Sequence, residues 1–255
     1  MNFQLFSDIH IELIKKGFPK IEPLCNTIIL AGDIGIISRI NFKQFIEYCS
    51  LNWENVIYVF GNHEFYGKHT IHTFKYKYRT YFETFNNVHL LDSSFIELNG
   101  VIIYGFISWT RSIFDNTNTS RDYLNDYNKI KYGKSRLRCA DVDLMVEEEL
   151  EKFHLFIDDV NNNKIQCDKI LVVTHFPPIR EGTSDPKYNG ELLSNYFSWN
   201  NLMYSEEINC DKIKMWCSGH THWSYNFIVN DINFVSNQIG YFDECIKSDN
   251  NILTI

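Results

Sequence analysis

The pattern that most restricts the fold of this chain is a short apolar run that stops abruptly in polar residues and is followed by a helix-like stretch. Met1-Asn2-Phe3-Gln4-Leu5-Phe6 runs into Ser7-Asp8-Ile9-His10, Thr27-Ile28-Ile29-Leu30-Ala31 into Gly32-Asp33-Ile34-Gly35, and Val56-Ile57-Tyr58-Val59-Phe60 into Gly61-Asn62-His63-Glu64. Between the second and third units, Phe42, Phe45, Ile46 and Cys49 recur at helical spacing within Asn41 to Ser50. After the third, Ile71, Phe74, Tyr78, Tyr81, Phe82 and Phe85 form another helical stripe. Strands alternating with helices imply right-handed crossovers and a mostly parallel sheet.

The middle of the chain reads differently. Val88 to Leu91, Phe95 to Leu98 and Val101 to Ile107 are closely spaced strand-like runs, the last two joined by an Asn99-Gly100 hairpin turn. Ser112 to Ser135 is polar and reads as a long loop. Asp141 to Val160 predicts a helix with Leu144, Leu150, Phe153 and Ile157 on one face and the Glu147-Glu148-Glu149 run in solvent. Lys169 to Val173 and Lys212 to Cys217 read as strands ending at Thr174-His175 and Ser218-Gly219-His220-Thr221-His222, with further strands at Tyr225 to Val229 and Ile232 to Ser236. Arg180 to Tyr204, rich in turn residues and scattered aromatics, reads as a surface excursion and a lid or specificity element. No repeat, linker or low-complexity segment divides the 255 residues, so the expectation is a single domain over 1–255.

Each polar cluster follows the carboxyl end of an expected strand, the edge of an α/β sheet where ligands bind. Asp, His and Asn are donors for divalent metals of intermediate softness. In Asp8-Ile9-His10 and His220-Thr221-His222 the outer residues lie two apart, so in extended chain they point the same way. Gly32, Gly61 and Gly219 precede Asp33, Asn62 and His220 and permit sharp turns or close backbone approach. Singly these signals are weak, because a lone histidine is commonly a surface or satisfied core residue and Gly-Asp is a common turn. Five clusters in order, each at a strand end, carry the inference. His69, His72, His89 and His154 fall in helix or loop stretches and read as ordinary surface residues.

The order Asp-x-His, Gly-Asp, Gly-Asn-His-Glu, His, Gly-His-x-His, from Asp8 to His222, resembles the calcineurin-like metallophosphoesterase superfamily. The resemblance implies a four-layer αββα sandwich of two mixed sheets flanked by helices. It also implies two divalent metal ions, one held by Asp8, His10 and His222, the other by Asn62, His175 and His220, with Asp33 bridging. His63 would face the substrate as a general acid. Two close cations need an anionic bridge, lower the pKa of bound water and neutralise charge that develops on phosphate. Glu64 fits either support of a histidine or a helix N-terminal charge. Manganese suits the donors, as do iron, zinc, cobalt and nickel. The second block lacks the Asp-Arg-Gly extension of the Ser/Thr protein phosphatases, and His10 stands where lariat-debranching enzymes carry cysteine. Ser7-Asp8-Ile9-His10, Ser108-Trp109-Thr110 and Asn125-Asp126-Tyr127 resemble blocks of a bacterial-type phosphoesterase subgroup.

The expected activity is hydrolysis of phosphate esters, phosphodiesters ahead of monoesters, with a small, nucleotide-like substrate. A net charge of -8 disfavours bulk duplex nucleic acid. A non-catalytic scaffold, the use to which the retromer subunit of this fold is put, would be expected to lose ligands, and here none is missing. Tyr66, Trp109, Arg111, Arg121, Arg180 and Tyr241 are candidates for substrate contact; Trp109 is placed either to stack a base or to fill the core. The seven cysteines form no Cys-x-x-Cys pair and read as reduced thiols. With no secretory signal and no apolar run of membrane-spanning length, the expectation is a soluble, cytoplasmic enzyme.

Overall fold

A computed structural model of the chain describes residues 1–111, 117–191, 193–199, 202, 210–241, 244 and 249–255. In one sheet β1 (Asn2–Phe6), β2 (Thr27–Ala31), β3 (Asn55–Val59) and β4 (Val88–Leu91) run parallel in sequence order, and β1 carries a C-terminal strand antiparallel on its other edge. The first crossover helices are α1 (Ile40–Asn52), between β2 and β3, and α2 (Ile71–Phe82), between β3 and β4. Thr70 starts α2 by accepting a hydrogen bond from the Thr73 backbone N–H at 3.2 Å, the usual role of an N-cap hydroxyl.

The second sheet begins with β5 (Ser94–Leu98) and β6 (Val101–Phe106), antiparallel across the predicted hairpin. The segment read as one long loop after it is partly ordered into elements too short to show a period. These are α3 (Thr117–Tyr123), α4 (Asp126–Lys129) and a small hairpin of β7 (Lys131–Tyr132) with β8 (Ser135–Arg136); 112–116 lie outside the described residues. The long helix α5 (Cys139–Asn161) follows, then β9 (Lys169–Thr174). The 180–204 segment holds a 3-10 turn at Pro186–Tyr188 and the short helix α6 (Ser194–Phe197). Then come β10 (Ile213–Cys217), β11 (Tyr225–Val229), β12 (Ile232–Ser236) and the edge strand β13 (Leu253–Thr254). The order in this sheet is β11-β12-β10-β9-β6-β5, with β12, β10, β9 and β6 parallel and both outer strands antiparallel.

The two mixed sheets pack face to face, as the period of two in their strands dictates. Ile29 and Ala31 of β2 join Phe3, Leu5, Ile103, Leu171 and Met215 between the sheets. Their neighbours Ile28 and Leu30 point the opposite way, onto Phe42, Phe45 and Ile46 of α1. On the far side, Ile102, Tyr104 and Val172 meet Phe153, Phe156 and Ile157 of α5. This is the four-layer αββα sandwich. The α5 face differs from the expectation in two places. Leu144 is exposed, and Glu149 is buried rather than solvated, because it lies on the same helical stripe as Val142, Val146 and Phe153 and accepts the Trp109 backbone N–H at 3.0 Å. His89 sits on β4 rather than in a helix or loop.

Candidate metal centre

The carboxyl ends of β1, β2 and β3 meet those of β9 and β10, and the eight predicted site residues all lie in the turns that leave them. The chain has to reverse sharply there. Asp8, His10, Asp33, His220 and His222 take left-handed backbone conformations, with φ between 49 and 74°. Such φ values are uncommon for residues with a Cβ and cost energy that the surrounding fold must supply. Two glycines make the approach possible. A Cβ on Gly61 would lie 2.2 Å from Asp33 Oδ1, and one on Gly219 would lie 2.5 Å from Asp8 Oδ2.

The donor atoms form three groups that share members: Asp8 with His10 and His222, His10 with Asp33 and His63, and Asp33 with His175 and His220, each within 4.8 Å. His10 Nε2 is 3.0 Å from His222 Nε2, and His222 Nε2 is 3.5 Å from Asp8 Oδ1. On the other side His175 Nε2 is 3.0 Å from Asn62 Oδ1 and 3.2 Å from His220 Nδ1. Asp33 Oδ2 stands between the two sets, 3.9 Å from His10 Nε2 and 3.4 Å from His175 Nε2. Asp33 is therefore placed where a bridging carboxylate would be.

A surrounding layer of hydrogen bonds orients these donors, the role such partners play in metal sites. His10 Nδ1 faces Glu12 Oε1 at 3.2 Å and His222 Nδ1 faces Glu244 Oε2 at 2.5 Å. A carboxylate only accepts, so both Nδ1 atoms carry the proton and both Nε2 atoms turn lone pairs inward. His175 Nδ1 likewise donates to the Ala31 carbonyl at 3.0 Å. Asn62 Nδ2 donates to Asp126 Oδ1 at 2.7 Å, which turns the amide oxygen inward. Asp126 also accepts from the hydroxyls of Tyr66 and Tyr196. Glu64, fully buried, accepts the backbone N–H groups of Asp33, Ile34, Gly35 and Gly61 and the Tyr58 hydroxyl. It thus clamps the loop that presents Asp33 and supports no histidine.

Two sets of donor atoms converging at about hydrogen-bond distance suit cations. The electrostatics agree. Burial opposes ionisation of Asp8 and Asp33, yet neighbouring histidines hold both carboxyls below their usual range. Burial also disfavours charge on His175 and His63, but the Asp33 carboxylate, with Asp8 and Glu12, pushes them up to about 10 and about 9. Burial and the proximity of His175 push His220 down, so it stays a neutral donor. The buried carboxylates demand positive charge at their centre.

A family model described as calcineurin-like phosphoesterase matches residues 1–224. The chain is a calcineurin-like phosphoesterase. It is accordingly a metal-dependent hydrolase of phosphate esters, of a family built around two metal ions. This calcineurin-like phosphoesterase is 27% identical over 226 residues to uncharacterized protein L509 of Acanthamoeba polyphaga mimivirus, covering 84% of this chain and 78% of that one. Its fold is similar to that of the phosphopantetheinyl hydrolase PptH from Mycobacterium tuberculosis, with a TM-score of 0.70, 15% identity and coverage of 95% and 90% of the two chains. A putative 5'-nucleotidase from Staphylococcus aureus is more distant, with a TM-score of 0.51, 11% identity and coverage of 92% of this chain and 48% of that one.

The donors of this calcineurin-like phosphoesterase open into a cavity of about 960 Å³ lined by Asp33, Asn62, His63, His220 and His222, with Tyr66, Tyr123, Tyr188, Phe197, Trp223 and Tyr241 among the rest. Of the six residues marked for substrate contact, Tyr66 and Tyr241 line it. Trp109 is buried between Phe65 and Phe176 and fills the core instead. Arg111 is exposed and pairs with Asp143 and Glu147, while Arg180 bonds Asn195; neither of them, nor Arg121, lines the cavity. Glu12, Glu244 and Tyr196 were not singled out from sequence. Glu12 alone carried a signal, continuing the period of two in Asp8-x-His10-x-Glu12. Among the described residues, no helix is long and apolar enough to cross a membrane.

Proposed function

We propose that this chain hydrolyses small, nucleotide-like phosphodiesters, with Asp8, His10 and His222 holding one cation, Asn62, His175 and His220 the other, Asp33 both, and His63 acting as general acid. The observation that carries the reading is the place of His63. Although it shares one donor group with His10 and Asp33, its ring lines the cavity, stacked on Tyr66 at 4.1 Å, and its Nε2 meets the Tyr241 hydroxyl at 3.3 Å. Bound cations would supply Lewis acidity and a water deprotonated near neutral pH. The protein's own part is to hold the ester in line and to give the departing alcohol a proton from His63. The donor set suits manganese first, with iron, zinc, cobalt and nickel also compatible.

The lining of the cavity supports a diester. Among its described residues Lys187 is the one fixed cation, and it is paired with Asp185 at 2.8 Å. A dianionic monoester calls for more positive charge, typically an arginine fork. The cavity is much larger than a phosphate, and its aromatic wall suits a planar organic group. The 180–204 segment is assigned as the specificity element, since Asp185, Tyr188 and Phe197 line the cavity and the Tyr196 hydroxyl donates to Asp126 at 2.6 Å. The six cysteines among the described residues are all free and support a reducing, cytoplasmic setting, and the net charge of -8 supports small substrates over duplex nucleic acid. The test is turnover of bis-4-nitrophenyl phosphate against 4-nitrophenyl phosphate with added manganese. Diester turnover is expected to dominate; fast monoester turnover without it overturns the substrate class. His63→Ala is expected to retain the metals and lose most activity, and loss of metal with activity following would refute the role of His63.

A further inference from the structure

One buried carboxylate at the centre serves more than a metal donor. Glu12 lies in the 3-10 turn Ile11–Leu13, two residues past His10, with its side chain 6% exposed. Its Oε1 is 3.2 Å from His10 Nδ1 and 3.1 Å from His63 Nδ1, so one oxygen serves both rings. Its Oε2 is buried and has no hydrogen-bond partner among the described residues. Among the described residues no lysine or arginine pairs with it. Burying a carboxylate with so few donors is unfavourable, so its presence is explained by what it does to the two histidines rather than by stability.

We propose that Glu12 is the positioning residue for His63, fixing which edge of that ring meets the substrate; the inference rests on His63 being the acid. Stacking on Tyr66 sets the plane of the His63 ring but not which nitrogen faces the cavity. The Tyr241 hydroxyl can donate or accept and so is indifferent to the choice. The Glu12 carboxylate accepts only. It therefore requires a proton on His63 Nδ1 and leaves Nε2 toward the cavity. Because the same oxygen holds His10, the acid is set in register with a predicted metal ligand, the two rings meeting edge to face at 4.5 Å. Removing Glu12 frees the His63 ring to flip about its bond to Cβ and present the wrong nitrogen.

The experiment compares Glu12→Gln, His63→Ala and the double variant of the full, manganese-loaded chain, on aryl diesters with a good leaving group (4-nitrophenol) and a poor one (phenol). Loss of a supporting hydrogen-bond partner typically costs 10- to 100-fold. At saturating manganese Glu12→Gln is expected to keep its KM and to lower kcat by about that factor, more for the poor leaving group, with no further loss in the His63→Ala background. An equal loss for both leaving groups at saturating manganese, or an equal loss with His63 already absent, overturns the proposal. An active His63→Ala enzyme would instead refute the assignment of the acid. Should Glu12→Gln fail to fold, Glu12→Asp takes its place: a kcat loss that vanishes in the His63→Ala background is expected, and an equal loss with His63 already absent overturns the proposal.

Discussion

Gly61→Ala isolates the positioning of Asp33 from its chemistry. Gly61 does not have a positive φ, so alanine costs no backbone strain there. Only space is at stake. The new methyl carbon would lie 2.2 Å from Asp33 Oδ1 and 2.6 Å from the Asp33 backbone nitrogen. Real Cβ atoms essentially never come within 3.0 Å of such neighbours, so the carboxylate must retreat by the better part of an ångström. Asp33 Oδ1 also accepts the His63 backbone N–H at 2.8 Å, and its other oxygen faces His10 and His175, so the displacement reaches both halves of the centre. A misplacement of about 1 Å costs on the order of 100-fold in rate, roughly 2.7 kcal/mol of transition-state stabilisation. The expected result is a folded protein with kcat/KM for bis-4-nitrophenyl phosphate lowered about 100-fold and weakened binding of the metal ions, read by calorimetric titration. Gly219→Ala, with a 2.5 Å clash against Asp8 Oδ2, should follow more mildly. A Gly61→Ala enzyme with unaltered kcat/KM and metal affinity would show that Asp33 is not held by this contact, and the reasoning would be wrong.

Asp126→Asn removes the charged acceptor that turns the Asn62 amide; metal affinity measured by chelator competition should fall about 10- to 100-fold, and an unchanged affinity would remove Asp126 from the centre. Burial raises the carboxyl of Glu149 from 4.5 to about 7, so the folded state binds the extra proton and stability attributable to this group falls as pH rises from about 4.5 to 7. Glu149→Gln should therefore flatten that slope and gain up to roughly 3 kcal/mol above pH 7 relative to the unaltered chain, read by urea midpoints across pH; parallel profiles for the two proteins would count against it. Phe153→Ala opens a cavity among Tyr104, Phe106 and Trp216 and should cost about 3–5 kcal/mol in urea unfolding without changing turnover per folded molecule. A loss under about 1 kcal/mol would mean that the α5 layer repacks freely.

The convergence of the proposed donors was legible in the sequence because three constraints coincide on them: a strand period of two, an abrupt polar stop and a glycine one residue ahead of Asp33, Asn62 and His220. Their supports were not, because what they bind is backbone or a ring brought from elsewhere. Glu64 reads as either support of a histidine or a helix-start charge until the loop of Asp33, some thirty residues earlier, is folded over it. Glu149 sits in a run of three glutamates, and only the helical register, together with the Trp109 N–H that it accepts, selects the third for burial. Trp109 posed the opposite problem: its position after a strand suits stacking on a ligand as well as packing, and neighbouring Phe65 and Phe176 decide for packing. The 112–135 stretch hid α3 and α4 because helices of seven and four residues complete too few turns to display a stripe.

The left-handed turns at Asp8, His10, Asp33, His220 and His222 bear on how such a chain can change over time. At about 1 kcal/mol each for a residue with a side chain, the strain approaches the whole net stability of an ordinary domain. Glycine relieves that strain at every one of the five positions and abolishes a proposed metal donor each time. Under that proposal, loss of function is downhill in folding free energy along five separate routes, and only selection for turnover holds the side chains in place. A descendant freed of that selection would be expected to drift toward glycine at these turns first, becoming a sturdier protein as it ceases to be an enzyme.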